Sequence, residues 1–277
     1  MEQRPVDVIV VARRSQKETS PNMLFDTWLI FRRDLALSLR NPAWIMIGIM
    51  QPVLYLVLFG PLMEKVVAST PGFPPGSSWT ILTPALIIQL ALFSSSFAGF
   101  SLLVDYRGGV LERLRVTPAS RVGLLLGKVA NNAIQAVVQA ILITVLAYVA
   151  FGLDAPFGGV LVSLVIVALT AVTLASASYA VALTIKSEQA FPALLNAVLM
   201  PVLLLSGILL PITSMLAPNW LYTISRINPF THVVDAERAG FRGDFTFDGL
   251  FTGAVVLLVM AILAVWWGAR TFQKENS

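Results

Sequence analysis

Residues 66–104 read VVASTPGFPPGSSWTILTPALIIQLALFSSSFAGFSLLV and contain no Asp, Glu, Lys or Arg. Within this stretch, residues 69–78 are dense in Pro, Gly and Ser, a composition typical of turns. Residues 80–104 are long enough to cross a bilayer, because a transmembrane helix takes about 20 mostly apolar residues. The stretch therefore predicts a loop followed by a membrane-spanning helix, and it indicates a membrane protein.

The composition of the whole chain gives the same indication. Of its 277 residues, 57% are hydrophobic and 12% are charged, whereas a soluble domain carries about 25% charged residues. A net charge of +4 would point to nucleic acid in a soluble protein. Here the basic residues are better explained by anionic lipid headgroups, so no nucleic-acid partner is expected. The chain contains no cysteine, which excludes disulfides and thiolate metal sites.

The hydrophobic segments predict an all-α polytopic membrane protein with six transmembrane helices. The predicted spans are residues 43–63, 80–104, 129–151, 160–185, 190–212 and 249–269. Residues 1–22 are expected to be a cytoplasmic tail and residues 23–277 the transmembrane domain. Lys and Arg are concentrated before the first span and between the second and third, so both termini are predicted to be cytoplasmic. This organisation suits a multi-pass protein of the bacterial plasma (inner) membrane.

Residues 24–40 predict an amphipathic helix that lies on the membrane rather than through it. Its apolar face consists of Leu24, Trp28, Phe31, Leu35 and Leu39. An apolar and aromatic face beside a first span is typical of an interfacial elbow helix. The alternative is an ordinary cytoplasmic helix packed on another protein.

The long outer loop, residues 213–248, is rich in aromatic side chains. This composition predicts a re-entrant or interfacial helix around residues 220–240. The loop also contains His232, the single histidine of the chain. Because neither a second histidine nor a cysteine accompanies it, no metal site is expected.

The cytoplasmic loop 105–128 begins DYRGGVLERLRVTPASR and ends with Gly127-Lys128. Residues 110–115 predict a short charged helix that ends before Pro118. Two other distinctive sequences are LSGILLP at 205–211 and INPFT at 227–231. In this order and spacing, the three sequences resemble the membrane subunits of type-2 ATP-binding-cassette exporters, particularly the daunorubicin-resistance-like permeases. The resemblance covers nearly the whole chain beyond residue 22, with one departure at Glu237, where such relatives often lack an acidic residue.

The resemblance implies a complex in which two copies of the chain sit on two copies of a separate ATP-binding-cassette ATPase subunit, which binds ATP and Mg. A coupling helix would dock on that subunit. The residues that match it are Val110, Leu111, Glu112, Arg113, Leu114, Arg115, Thr117 and Pro118. The chain itself has no Walker A loop, because its nearest match, GLLLGKV at 123–129, has one residue too few between the glycines. The permease is therefore expected not to be an enzyme by itself.

Charged residues are absent from the cores of the predicted spans, which argues against an ion-coupled secondary transporter. Neutral polar residues are present. Asn131, Asn132, Gln135 and Gln139 form a polar stripe on one helical face. The candidates for the substrate pathway are Gln51, Tyr55, Phe59, Gln89, Asn196 and Ser206. For each polar residue, hydrogen bonding between helices and contact with a transported molecule both remain open.

The fourth span carries small residues on one face, which predicts close packing within the subunit. They are Ala168, Ala171, Ala175, Ser178 and Ala182.

Together these features favour an exporter permease that moves small amphipathic, drug-like or lipid-like molecules, with a role in multidrug efflux and antibiotic resistance. Membrane lipid is a further expected partner. One alternative is a permease for polysaccharide or teichoic-acid chains. Alternatives of another class are a non-transporting membrane scaffold and an intramembrane enzyme, which would need paired carboxylates or a histidine with a nucleophile at membrane depth.

Overall fold

The structure is a computed structural model that describes residues 23–70, 73–108, 121–245 and 247–274. Within these ranges every regular element is a helix, which confirms the all-α fold class for the described residues. The helices are α1 (Met23–Arg40), α2 (Ala43–Ser69), α3 (Ser78–Ser96), α4 (Ala98–Arg107), α5 (Arg121–Phe151), α6 (Phe157–Ile185), α7 (Ala190–Leu205), α8 (Asn219–Ile227), α9 (Pro229–Arg242) and α10 (Thr252–Lys274), with a π-helical turn at Phe247–Phe251 before α10.

Five helical segments in the described residues are long and apolar enough to cross a membrane. They are Ala43–Val67, Ser78–Asp105, Val122–Phe151, Phe157–Ile185 and Gly249–Gln273. These segments correspond to five of the six predicted spans. The chain is therefore a multi-pass membrane protein.

The predicted fifth span, residues 190–212, is occupied by a shorter helix. α7 has 16 residues, so at about 1.5 Å per residue it is roughly 24 Å long, less than a hydrocarbon core of about 30 Å. The chain leaves the helix after Leu205 and turns at Gly207, where φ is 74°. Glycine adopts this left-handed conformation without a steric penalty. A sixth full-length transmembrane helix is thus not confirmed.

α6 is the central helix of the bundle and contacts α3, α4, α5, α9 and α10. Its small residues lie in these contacts, since Ala171, Ala175, Ser178 and Ala182 are buried and Ala168 is half-buried. Small side chains allow helix backbones to approach closely. The packing role predicted for this face is confirmed.

The second predicted span consists of two helices, α3 and α4, that meet at Phe97. Ser178 of α6 lies against this junction. Its hydroxyl donates to Ser96 O and accepts from Gly99 N, the latter at 2.8 Å. A Cβ on Gly99 would overlap the backbone of Ser178, so only glycine permits this approach. α6 therefore contributes side-chain hydrogen bonds to both sides of the junction.

α1 confirms the helix predicted at residues 24–40, and it packs on the first turns of α5. A Cβ on Gly127 of α5 would lie 2.9 Å from Ile30 Cβ and from Thr27 O, so glycine permits the close contact. Of the predicted apolar face, Leu24, Trp28 and Leu39 are exposed, and Phe31 and Leu35 are half-buried. This face points largely away from the bundle, and its position at a membrane surface stays a prediction.

The outer segment forms two helices, α8 and α9, where one was predicted around residues 220–240. Asn228 separates them, because its side chain accepts from Phe230 N at 3.1 Å and caps α9, which begins with Pro229. α9 contacts α3, α6 and α10 and buries Phe230, Val233, Val234 and Phe241. This helix is therefore part of the packed bundle, and its apolar face is covered by protein.

Candidate functional site

Two clefts follow one another along the side of α2 that faces α3. The first, called here the glutamine cleft, has a volume of about 280 Å³. It is lined by Ile47, Gly48, Gln51, Pro52, Gln89, Leu90, Phe93, Ser94 and Phe97. Gln89 is buried, and its Oε1 has no hydrogen-bond partner among the described residues. An unpaired amide oxygen in apolar surroundings is costly, so this atom can bind a donor on a molecule that enters the cleft.

The second cleft, called here the aromatic cleft, also has a volume of about 280 Å³. Its lining is apolar apart from the tyrosine hydroxyl and consists of Tyr55, Phe59, Leu62, Met63, Leu82, Leu86, Ile208, Leu209 and Leu210. The rings of Tyr55 and Phe59 are stacked, with centroids 5.2 Å apart. Gln51, Tyr55 and Phe59 are spaced four residues apart and therefore share one face of α2.

α2 is held in place by two close contacts at glycines. A Cβ on Gly48 would overlap the side-chain amide of Gln139 from α5, and one on Gly60 would overlap the ring of Trp79 from α3. Pro52 and Pro61 lie inside the same helix, where each removes a backbone donor. The elements that form the clefts are thus packed tightly on one side of α2, while much of its other surface is exposed.

Two of the six predicted pathway residues line neither cleft. Ser206 is buried, and its hydroxyl donates to Leu203 O at 2.7 Å, so it closes the end of α7. Asn196 is exposed on α7. The structure therefore brings together Gln51 with Gln89 and Tyr55 with Phe59, but not Asn196 or Ser206.

The polar stripe of α5 divides into two pairs. Gln135 Nε2 donates to Ser38 Oγ at 2.8 Å, and Gln139 Nε2 donates to Trp44 O at 3.4 Å, so these two residues hold α1 and the start of α2. Asn131 and Asn132, together with Gln135, line a cavity of about 530 Å³ between α1, α4 and α5. Their Oδ1 atoms are buried without a partner among the described residues.

Arg238 of α9 is buried in the bundle although it carries a charge. Its side chain is 2% exposed. Nη2 donates to Gly207 O at 2.8 Å and Nε donates to Ile81 O at 3.2 Å. Burial lowers the pKa of this guanidinium to about 10, so it stays charged at neutral pH. Arg238 thus joins the start of α3 to the turn that carries the Ile208–Leu210 wall of the aromatic cleft.

Glu237, the departure noted in the sequence, is also buried and faces α6. Its Oε1 accepts a hydrogen bond from Ser163, and its Oε2 has no partner among the described residues. Burial raises the pKa of this carboxyl to about 8, so the protonated form predominates at neutral pH. Local sequence gave one signal for both residues, since the apolar Val233, Val234, Ala236 and Ala239 lie close to them along the chain.

The predicted coupling residues, Val110 to Pro118, lie outside the described residues. The described ends of their loop are anchored by ion pairs. Arg107 Nη1 lies 3.1 Å from Glu188 Oε2, and Lys128 Nζ lies 2.9 Å from Asp105 Oδ2. The first pair ties α4 to the segment before α7, and the second joins α4 and α5 to each other across the loop.

The described residues contain no cluster of His, Cys, Asp or Glu that could hold a metal ion. His232 Nε2 lies 3.1 Å from Arg226 O, a contact that secures the start of α9 to the end of α8.

Comparison with known proteins gives a consistent result. A family model described as "ABC-2 type transporter" matches residues 26–241, which extend from α1 to α9. The chain is 26% identical over 227 residues to "Putative transport permease ycf38" of Cyanophora paradoxa, covering 81% of this chain and 77% of the relative. It is 26% identical over 253 residues to the protein of the same name from Porphyra purpurea, covering 86% of this chain and 84% of the relative.

Proposed function

Because the chain belongs to the ABC-2 type transporter family, and is thus a membrane transporter subunit, we propose that it is the permease of an ATP-driven exporter. Its cargo is a small amphipathic, drug-like or lipid-like molecule that moves out of the cell. A separate ATP-binding-cassette ATPase subunit, in two copies, binds ATP and Mg and drives the transport. Residues 110–118 form the coupling helix that contacts this ATPase.

The observation that supports an amphipathic cargo is the succession of the two clefts on one side of α2. The glutamine cleft offers amide groups among apolar side chains, and the aromatic cleft offers stacked rings and aliphatic walls. A molecule with both a polar group and an apolar body matches such a surface, because apolar burial supplies affinity and a few polar contacts supply orientation.

The proposal extends to the arrangement in the membrane. α1 serves as an interfacial elbow, α7 with the turn after it takes the place of the sixth span, and α8 with α9 forms a re-entrant element on the outer side. Both termini lie in the cytoplasm of a bacterial plasma membrane, and two copies of the chain form the permease dimer. The exposed apolar surfaces of α2 and α7 support a dimer or lipid contact there.

Transport by the reconstituted complex tests the function directly. The permease and the ATPase that co-purifies with it are placed in proteoliposomes with the nucleotide-binding side outward. We expect ATP-dependent uptake of a fluorescent cationic amphiphile or of an NBD-labelled short-chain phospholipid, measured as protection from an external quencher. Transport of a lipid-linked oligosaccharide with neither amphiphile moving would contradict this cargo and favour the glycan alternative. Uptake powered by an ion gradient without ATP would contradict the mechanism.

Replacing Gln89 tests the glutamine cleft. Gln89→Leu keeps the side-chain size but removes the amide, so we expect uptake at limiting cargo to fall by about tenfold, equivalent to about 1.4 kcal/mol. Thermal stability should not fall, because the amide oxygen that is lost has no partner among the described residues. Gln273→Leu, an exposed glutamine near the end of α10, is the matched control. Equal uptake by Gln89→Leu and Gln273→Leu would remove the glutamine cleft from the pathway.

A further inference from the structure

The cavity between α1, α4 and α5 adjoins the glutamine cleft but has its own, charged lining. We call it the elbow cavity and define it by Arg33, Asp105, Lys128, Asn131 and Asn132, which line its volume of about 530 Å³. Asp105 is the last residue of the membrane-crossing segment Ser78–Asp105, and Lys128 lies in the second turn of the segment Val122–Phe151. The cavity therefore lies at the depth where lipid headgroups meet hydrocarbon.

Charges of both signs face this cavity. Lys128 Nζ is 2.9 Å from Asp105 Oδ2, and Arg33 Nε is 4.0 Å from Asp34 Oδ1. Arg33 keeps more than half of its side chain exposed, so its guanidinium is available to a ligand. A lining with two cations and two carboxylates is formally neutral, and it complements a zwitterion better than a simple anion.

Two amides in the cavity lack hydrogen bonds that their neighbours have. Asn131 Oδ1 and Asn132 Oδ1 are buried and have no partner among the described residues. One turn further along α5, Gln135 is bonded to Ser38 of α1. Buried amide oxygens need donors, so a group with several N–H bonds fits the position between the two asparagines.

The elbow cavity also adjoins an apolar space. Ser94 and Phe97 line both the elbow cavity and the glutamine cleft, where Ile47, Leu90 and Phe93 follow. A polar compartment is thus next to an apolar one along the axis of α3. This is the shape of a molecule with a charged head and a hydrocarbon chain.

We propose that the elbow cavity and the glutamine cleft form one binding site for a phospholipid-like amphiphile with a primary-ammonium phosphate head. The phosphate lies near Arg33 and Lys128, whose side chains are the cations of the cavity. The ammonium donates to the amide oxygens of Asn131 and Asn132, and the acyl chain lies in the glutamine cleft. Binding needs neither ATP nor the partner ATPase, so the site is independent of whether such a lipid is exported.

A ligand series on the unmodified, delipidated permease tests this site. Binding is measured by native mass spectrometry and by thermal stabilisation. We expect dihexanoyl phosphatidylethanolamine to bind at least tenfold more tightly than dihexanoyl phosphatidylcholine, whose quaternary ammonium has no N–H donor. Glycerophosphoethanolamine, which lacks chains, and dihexanoylglycerol, which lacks phosphate, should also bind at least tenfold more weakly. Equal binding of the two phospholipids, or tight binding of the chain-free head, would overturn the proposal.

Variants locate the binding to the elbow cavity. Asn131→Leu with Asn132→Leu, and separately Lys128→Gln, should each weaken phosphatidylethanolamine binding about tenfold. In Lys128→Gln, the side-chain amide can still donate a hydrogen bond to Asp105, so this variant is expected to fold. Gln189→Leu, which changes an exposed amide outside the cavity, is the control and should bind as the unmodified chain does. Unchanged affinity in both cavity variants would overturn the assignment.

Discussion

At the scale of single residues, the buried polar side chains of this protein divide by whether they have partners. Gln135 and Ser178 are hydrogen-bonded across helices and hold the bundle together. Gln89, Asn131 and Asn132 carry amide oxygens without partners among the described residues. Most buried polar groups in proteins are paired, so the unpaired amides beside open clefts are the strongest candidates for ligand contacts.

Glu237 belongs to neither group, and it predicts a dependence of stability on pH. Its pKa is about 8 in the folded chain, against an ordinary value of 4.5. Between these values the folded state binds a proton that the unfolded state has lost. The free energy of unfolding should therefore fall as the pH rises from about 5 to about 8, by at most about 1.4 kcal/mol per pH unit for this group.

Thermal unfolding of the purified protein at several pH values measures this dependence. In Glu237→Gln, the amide oxygen can still accept the hydrogen bond from Ser163, but the side chain cannot ionise. This variant should therefore reduce the fall of the free energy of unfolding with rising pH. Glu64→Gln, an exposed carboxylate on α2, is the control and should leave the slope unchanged. The same slope in Glu237→Gln as in the unmodified protein would show that Glu237 does not titrate in this range.

At the scale of elements, α9 acts on the clefts through Arg238. The guanidinium bonds to Ile81 O at the start of α3 and to Gly207 O in the turn after α7. That turn carries three of the residues that line the aromatic cleft. A helix that lines neither cleft thereby fixes the wall of one of them.

Replacing Arg238 should loosen this wall. Arg238→Met removes the donor to Gly207 O and to Ile81 O, and a buried polar group left unsatisfied costs about 1–3 kcal/mol, so the unfolding temperature should fall. A chain with Leu210→Cys carries a single thiol, because the sequence contains no cysteine. Adding Arg238→Met to this chain should make the labelling of that thiol faster. Arg226→Leu, which breaks a half-exposed ion pair with Asp235, should cost no more than about 1 kcal/mol. Unchanged labelling of Leu210→Cys in Arg238→Met would contradict the role of Arg238.

The segment 110–118 gives a prediction that rests on the family resemblance. Replacing Glu112 or Arg113 with alanine should abolish stimulation of the partner ATPase by the permease, because the charged contacts to that subunit are lost. Membrane insertion and the unfolding temperature should stay unchanged. ATPase activity of the co-reconstituted complex measures the effect, and full stimulation in both variants would place the coupling contact elsewhere.

At the scale of the whole molecule, the chain is organised around α6, while α2 and α7 lie at the periphery and expose apolar side chains. Such surfaces are stable in lipid or against a second subunit, but not in water. The centre of the bundle is thus covered by protein, whereas α2 and α7 leave apolar surface exposed.

Orientation can be measured on this cysteine-free chain. Gln189→Cys lies after the fourth predicted span and should be labelled by a membrane-impermeant thiol reagent only after permeabilisation. Ser69→Cys lies after the first span and should be labelled in intact cells. Both positions are exposed in the structure, so access to reagent depends on the side of the membrane. The opposite labelling pattern would reverse the predicted topology.

The sequence by itself determined the features that depend on local chemistry. Hydrophobic runs located five long helical segments, with every end within seven residues of the predicted one, because transfer into lipid depends on the composition of each segment. The periodicity of residues 24–40 predicted α1, and the small face of α6 predicted its burial. Three short sequences in a fixed order indicated the family that the match to residues 26–241 then established.

Only the tertiary structure decided which side chains meet. Gln51 and Gln89 share a cleft, whereas Asn196 and Ser206 do not reach it, and nothing along the chain separated these cases. The burial of Arg238 likewise depends on the packing of α9 on α3 and α6. The physical reason is range: hydropathy and capping act over a few residues, but burial and hydrogen bonding of a side chain depend on helices far away in sequence.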